Sequence, residues 1–247
     1  MKYLLLSDMH ANWEALQAVL RHARRKRFDT ILMLGDVVGY GAAPNQVVEA
    51  IAGLPGKVYA IRGNHDKVVS GVDSGENFNH VALAAARWTA ERLTPGNLRY
   101  VRELDRGPVE IEAATTICHG SPLDEDLYVL SDFDAYDIFS GHRAWLTFFG
   151  HTHVTSMFSL VDGGVRVAVL RGAAGRVDLD PGARYLINPG SIGQPRDRDP
   201  RASYMIYDSA RRTVRWYRVP YPVAHAQERI RAAGLPAVLA DRLALGM

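Results

Sequence analysis

The chain is poor in cysteine, in net charge and in long apolar runs. Its one cysteine, Cys118, excludes an intrachain disulfide and fits a reducing compartment. Lys and Arg number 29 against 27 Asp and Glu, a formal net charge of +2, so whole-molecule attraction to polymeric nucleic acid or to an anionic membrane is disfavoured. No stretch approaches the ~20 apolar residues of a membrane span. The run Tyr3-Leu4-Leu5-Leu6 stops at Ser7-Asp8, too early for a secretory signal. No linker, internal repeat or low-complexity tract divides the chain. The expectation is one cytoplasmic domain over residues 1–247, with its oligomeric state open.

What is present is a large apolar fraction, 47% of residues, ample for a core. Residues 2 to 6 read as a central strand, and Trp13, Leu16, Val19 and Leu20 then recur at helical spacing. The run Ile31-Leu32-Met33-Leu34-Gly35-Asp36 reads as a second strand ending at a carboxylate. Pro44 opens a helix through Val47, Val48 and Ile51. A third strand, Val58 to Ile61, runs into Arg62-Gly63-Asn64-His65-Asp66. Three strands with helices between them are the βαβαβ pattern of a parallel sheet. Helices over His80 to Leu93 and after Pro95 form an insertion near residues 77–104. Short strands then dominate up to Tyr217, with Asp162-Gly163-Gly164 as a hairpin turn. The stretch Ala224 to Leu245 reads as helix, interrupted at Gly234-Leu235-Pro236.

Ligands in open α/β sheets bind at the carboxyl ends of strands. The polar residues there are Asp8, His10, Asp36, Asn64, His65, His119, His151 and His153. One histidine at a strand end is more often structural than functional. Five of the nine histidines in such places, with two aspartates, point instead to metal. Mixed carboxylate and imidazole donors suit Mn, Fe, Co, Ni or Zn. Eight donors exceed one tetrahedral ion but suffice for two divalent ions sharing a carboxylate.

Asp8-Met9-His10, Gly35-Asp36, Gly63-Asn64-His65-Asp66, His119-Gly120 and Gly150-His151-Thr152-His153 resemble, in order, the motifs of the calcineurin-like metallophosphoesterases. Asn188 to Arg196 is similar to the segment that follows in the small bacterial phosphodiesterase-like branch. The resemblance implies an α/β fold, a two-sheet α/β/β/α sandwich, carrying a dinuclear centre. It implies that Asp8, His10 and His153 hold one ion, that Asn64, His119 and His151 hold the other, and that Asp36 bridges them. A metal-bridged hydroxide would attack phosphorus in line. Gly35, Gly63 and Gly150 are expected to let the chain turn sharply where a side chain would crowd the ions.

His65 falls in the family's catalytic position, either protonating the leaving oxygen or donating a hydrogen bond to phosphate. Asn64 and Arg196 are the candidate substrate contacts, a guanidinium being suited to forking onto phosphate oxygens; a surface loop-capping role for Arg196 is the plainer alternative. The protein phosphatases of the superfamily carry an aspartate and an arginine where this chain has Gly39 and Tyr40. That departure favours a small phosphodiester substrate over a phosphomonoester or phosphoprotein. The alternatives are a phosphomonoesterase or protein phosphatase on the same site, or a non-catalytic binding module with this fold. The basic run Arg21 to Arg27 reads as the solvated end of the first helix, and Cys118 as a buried inert thiol.

Overall fold

Alternation along the strands decides the layers. The computed structural model describes residues 1–112 and 114–247. Among these, β1 (Lys2–Leu6), β2 (Thr30–Met33) and β3 (Lys57–Ala60) pair in parallel, and β1 also pairs antiparallel with β11 (Ala202–Asp208). With β12 (Thr213–Val219) and β9 (Ala174–Asp178) they form one six-stranded sheet, in the order β3-β2-β1-β11-β12-β9. The second sheet runs β4 (Val109–Glu112), β5 (Thr115–Ile117), β6 (Leu146–Phe148), β10 (Arg184–Pro189), β7 (Thr155–Val161), β8 (Gly164–Val169).

Tyr3 and Leu5 point into the core between the sheets, where they meet Leu146, Phe148, Ile187, Met205 and Trp216. Leu4 and Leu6, one residue out of phase, point the other way, as a period of two requires. They pack under α1 (Trp13–Ala23), α2 (Pro44–Ala52), α7 (Val223–Ala232) and α8 (Ala237–Leu245). On the far face of the second sheet, Cys118, Phe149, Phe158 and Leu186 pack against Ala135, Ile138 and Phe139 of α6 (Asp132–Gly141). The result is the α/β/β/α sandwich. The insertion carries α4 (His80–Arg92) and α5 (Pro95–Arg102), each opened by a side-chain cap, Asn79 and Thr94. No described helix is long and apolar enough to cross a membrane.

Four elements depart from the sequence-based expectation. The second strand ends at Met33, and Leu34 to Asp36 already belong to the loop beyond it. A six-residue helix, α3 (Asn64–Val69), begins within the Gly63-Asn64-His65-Asp66 motif, too short to give a periodic signal. Neither α6 nor β9 was anticipated: α6 lacks a clean apolar stripe, and β9, Ala-Gly-Arg-Val-Asp, is mostly exposed at a sheet edge.

Candidate metal centre

The loops after β1, β2, β3, β5 and β6 converge because their strands neighbour one another within the two packed sheets and run the same way. Asp8, His10, Asp36 and His153 bring one ligand atom each to within 4.8 Å of one another, and Asp36, His119 and His151 form a second such group. Asp36 belongs to both. Its Oδ2 lies 3.4 Å from His10 Nε2 and 3.5 Å from His119 Nε2. Asn64 joins the second group, its Oδ1 3.2 Å from His119 Nε2. All seven sequence candidates for metal ligation are therefore brought together.

Hydrogen bonds orient the rings. The Nδ1–H of His10 donates to the Val38 carbonyl at 3.2 Å, that of His119 to Leu34 O at 2.7 Å, and that of His153 to Gln194 O at 2.6 Å. A carbonyl can only accept, so these bonds place a proton on Nδ1 and turn Nε2 toward the carboxylates, the orientation in which imidazole offers Nε2 to a metal. His151 is reversed, with Nε2 donating to Asp126 O at 3.0 Å, which leaves Nδ1 as its donor atom.

The loop backbone is bent to match. Asp8, His10, Asp36, His151 and His153 all have positive φ, between 46° and 66°, a region that non-glycine residues rarely occupy. Three of their amides are engaged by the neighbouring loops: Asp8 N–H donates to Gly35 O at 3.1 Å, His10 N–H to Asp36 O at 2.9 Å and His151 N–H to Asp8 Oδ1 at 3.2 Å. Gly35 also has positive φ, 92°, as expected of a turn glycine. Gly63 and Gly150 do not, and their role is space. A Cβ on Gly63 would run into the Asp36 carboxylate, and one on Gly150 into Ser7 Oγ.

The charges fit divalent cations. Burial acts against ionisation of Asp8, yet His153 beside it holds the carboxyl at about 2. Burial likewise opposes ionisation of Asp36, and His119, His65 and His10 hold it well below the usual range. Burial would lower His119, but Asp36 and then Asp8 drive it up to about 10. Two carboxylates, 0% and 1% exposed, thus demand positive charge at the point where the donor atoms converge. His151 is pushed down to about 3 by burial and by His119, and so stays neutral.

His65 stands beside the cluster, outside both donor groups. Its backbone N–H donates to Asp36 Oδ1 at 2.9 Å, and its buried Nδ1 has no partner. Burial holds the ring neutral, at about 4, with Asp36 pulling the other way and Arg196 adding to the depression. Arg196 lies over the Tyr40 ring, 5.8 Å from its centroid, and its Nη2 donates to Tyr40 Oη at 3.4 Å and to Gln194 Oε1 at 3.2 Å. Its side chain is half-buried, held between Tyr40 and Gln194. Gln194 Oε1 also accepts from Arg242 Nη1 at 3.3 Å, bringing α8 to the site. Sequence reasoning missed Arg242, Phe78 and Tyr128, for which no local signal exists. Phe78 lies 4.6 Å from the His65 ring, and Tyr128 stacks on His151 at 3.8 Å.

A family model described as the calcineurin-like phosphoesterase superfamily domain matches residues 1–212. An uncharacterized protein of Methanocaldococcus jannaschii is 36% identical over 249 residues, spanning 98% of this chain and 97% of that protein. The crystal structure of a metallophosphoesterase from Sphaerobacter thermophilus is similar at 39% identity and TM-score 0.85, covering 100% of this chain and 99% of that one. A hypothetical protein of Pyrococcus horikoshii OT3 shares the fold at 20% identity and TM-score 0.82, with coverage of 100% and 98%.

Proposed function

The chain belongs to the calcineurin-like phosphoesterase superfamily, and from that premise we propose that it is a metal-dependent phosphodiesterase holding two divalent ions. The observation that carries this reading is the sharing of Asp36 by both donor groups. Asp8, His10 and His153 would hold one ion, Asn64, His119 and His151 the other, with Asp36 common to both. The mixed oxygen and nitrogen donors suit Mn, Fe, Co, Ni or Zn. Bound there, such ions supply Lewis acidity toward the phosphoryl oxygens and the attacking water.

The remaining steps fall to side chains. Arg196, its Nε buried without an acceptor, offers N–H donors to non-bridging phosphoryl oxygens. Asn64 presents an amide at the same place. His65, neutral and aimed past the ligands, supplies an N–H to the leaving oxygen and so favours its departure. Its neutrality supports hydrogen bonding to the developing charge rather than a standing imidazolium. Gly39 and Tyr40 replace the aspartate and arginine found in the protein phosphatases, and Tyr40 packs its ring 4.2 Å from His65 and 4.6 Å from His10. That ring narrows the approach to the ions, which supports a small diester over a phosphoprotein. The substrate is a small phosphoester in the cytoplasm, handled by one domain spanning the chain.

The test is a panel of bis-nitrophenyl phosphate, nitrophenyl phosphate, cyclic nucleotides and dinucleoside polyphosphates, run with Mn, Ni, Mg and Zn after chelator stripping. Diester turnover should exceed monoester turnover. Asp36→Asn should lose bound metal and turnover together, read by metal analysis and initial rates. Absence of turnover with every pair would leave a binding module in place of an enzyme.

A further inference from the structure

A cavity of about 160 Å3 opens beside Asn64, His65 and His151, on the side of the site that faces α3 and α4. His65 is the group assigned to the leaving oxygen, so this cavity receives whatever that oxygen carries. Besides the histidines, three aromatic rings line it: Tyr40, already placed against His65, and Phe78 and Tyr128. Phe78 comes from the connection into α4. Tyr128 comes from the loop after β5, has one face stacked on His151, and is still 43% exposed. Two exposed amide side chains, Asn77 and Asn79, line it as well. Asn79 Oδ1 is taken by the N–H groups of Val81 and Ala82, leaving its Nδ2, and among the described residues no hydrogen bond engages the Asn77 side chain.

We infer that the leaving group is a single nucleoside whose base lies against Phe78 and Tyr128 and whose edge is read by Asn77 and Asn79. The inference rests on the phosphoesterase reading above and names its substrate class. A base has apolar faces and a polar edge, which is the pairing of aromatic rings and amides found here. An acyl chain would need aliphatic walls, but Val68 and Ala82 are the aliphatic members of the lining, and Lys67, Asp73 and Asp126 also line it. The size argues for one ring system: pockets that enclose drug-sized ligands hold roughly 300–1,000 Å3, well above the volume here. Lys67 is not free to take a second phosphate, because its amine is held by Glu125 at 3.2 Å and by Asp126 at 2.6 Å.

The experiment is calorimetric binding of AMP and of ribose 5-phosphate to the Mn-loaded protein, independent of turnover. AMP should bind at least about tenfold more tightly than ribose 5-phosphate. Phe78→Leu should bring AMP down to the ribose 5-phosphate level while leaving ribose 5-phosphate unchanged, and Phe78→Trp should restore the difference. Equal affinities in the wild type, or an equal loss for both ligands in Phe78→Leu, would overturn the inference. Failure of the enzymatic reading is seen separately. A protein that prefers AMP but hydrolyses no ester in any metal would support the nucleoside site and sink the hydrolase, whereas diester turnover without a base preference would do the reverse.

Discussion

At the scale of single residues, the site is bought with backbone strain. Each non-glycine residue held at positive φ costs about 1–3 kcal/mol and persists only where its surroundings over-determine it. Here five candidate ligands share that conformation, and hydrogen bonds among the loops hold them in it. The glycines between them work by leaving room. Gly63 has an unexceptional φ of −107°, so alanine there is not strained in itself, but its Cβ would overlap both the Asp36 carboxylate and the Asp36 backbone nitrogen and push that loop away. Gly63→Ala should therefore keep native circular dichroism and weaken metal binding about 10–100-fold, the range seen when a ligand loses its support. Calorimetric metal titration checks this, and wild-type affinity would mean Asp36 can shift without penalty. His65 makes the complementary case, a residue outside the donor set. His65→Ala should retain the metal content of the wild type and lose turnover by about 10²–10⁴-fold on poor leaving groups, with a much smaller loss on nitrophenolate esters. An unchanged rate on poor leaving groups would remove it from the mechanism.

At the scale of elements, α3 is the part that joins the loops. Asp66, in its first turn, accepts from three backbone N–H groups: Gly63 at 3.0 Å, Val38 at 3.1 Å and Val37 at 3.2 Å. Two of these belong to the loop that carries Asp36, so one carboxylate ties the second strand's loop to the third's. Burial and the charge of Asp36 push the Asp66 carboxyl up to about 7, against the pull of its three donors. Asp66→Ala leaves those donors without an acceptor in a buried place, each at a cost of about 1–3 kcal/mol. A loss of about 3 kcal/mol or more in denaturant unfolding of the metal-free protein is expected, with a smaller loss for Asp66→Asn. A change under about 1 kcal/mol in Asp66→Ala would show that the two loops are held by other contacts.

At the scale of the whole molecule, the site is a seam between two sheets. β1, β2 and β3 deliver Asp8, Asp36 and Asn64 from one sheet, while β5 and β6 deliver His119 and His151 from the other. Ions held in that seam would bind the folded chain and not the unfolded one, and would raise its stability by mass action, about 2.7 kcal/mol at a hundred times Kd. Thermal unfolding should therefore shift upward with added Mn or Zn after chelator stripping, and the same addition should leave Asp36→Asn nearly unmoved. An identical shift in the two proteins would place the bound ion elsewhere. The C-terminal helices touch the loops of the site although the family match ends at residue 212. Arg198 N–H donates to Gly246 O at 2.9 Å, and Arg242 shares Gln194 with Arg196.

The sequence by itself determined the parallel strands, the helices between them and the residues at their ends, because those signals are local: apolar runs, helical spacing, capping residues and short motifs. It also singled out every member of the two donor groups, since each sits in a motif with its own glycine or histidine neighbour. Only the tertiary structure decided which nitrogen of each imidazole faces the carboxylates, because that depends on carbonyls such as Leu34 and Gln194 brought in from other loops. It likewise decided that Gly63 and Gly150 serve proximity rather than turning, that Arg196 sits over Tyr40, and that Phe78, Tyr128 and Arg242 border the site. Those facts follow from strand register and from the packing of one sheet on the other, distances that no window of neighbouring residues encodes.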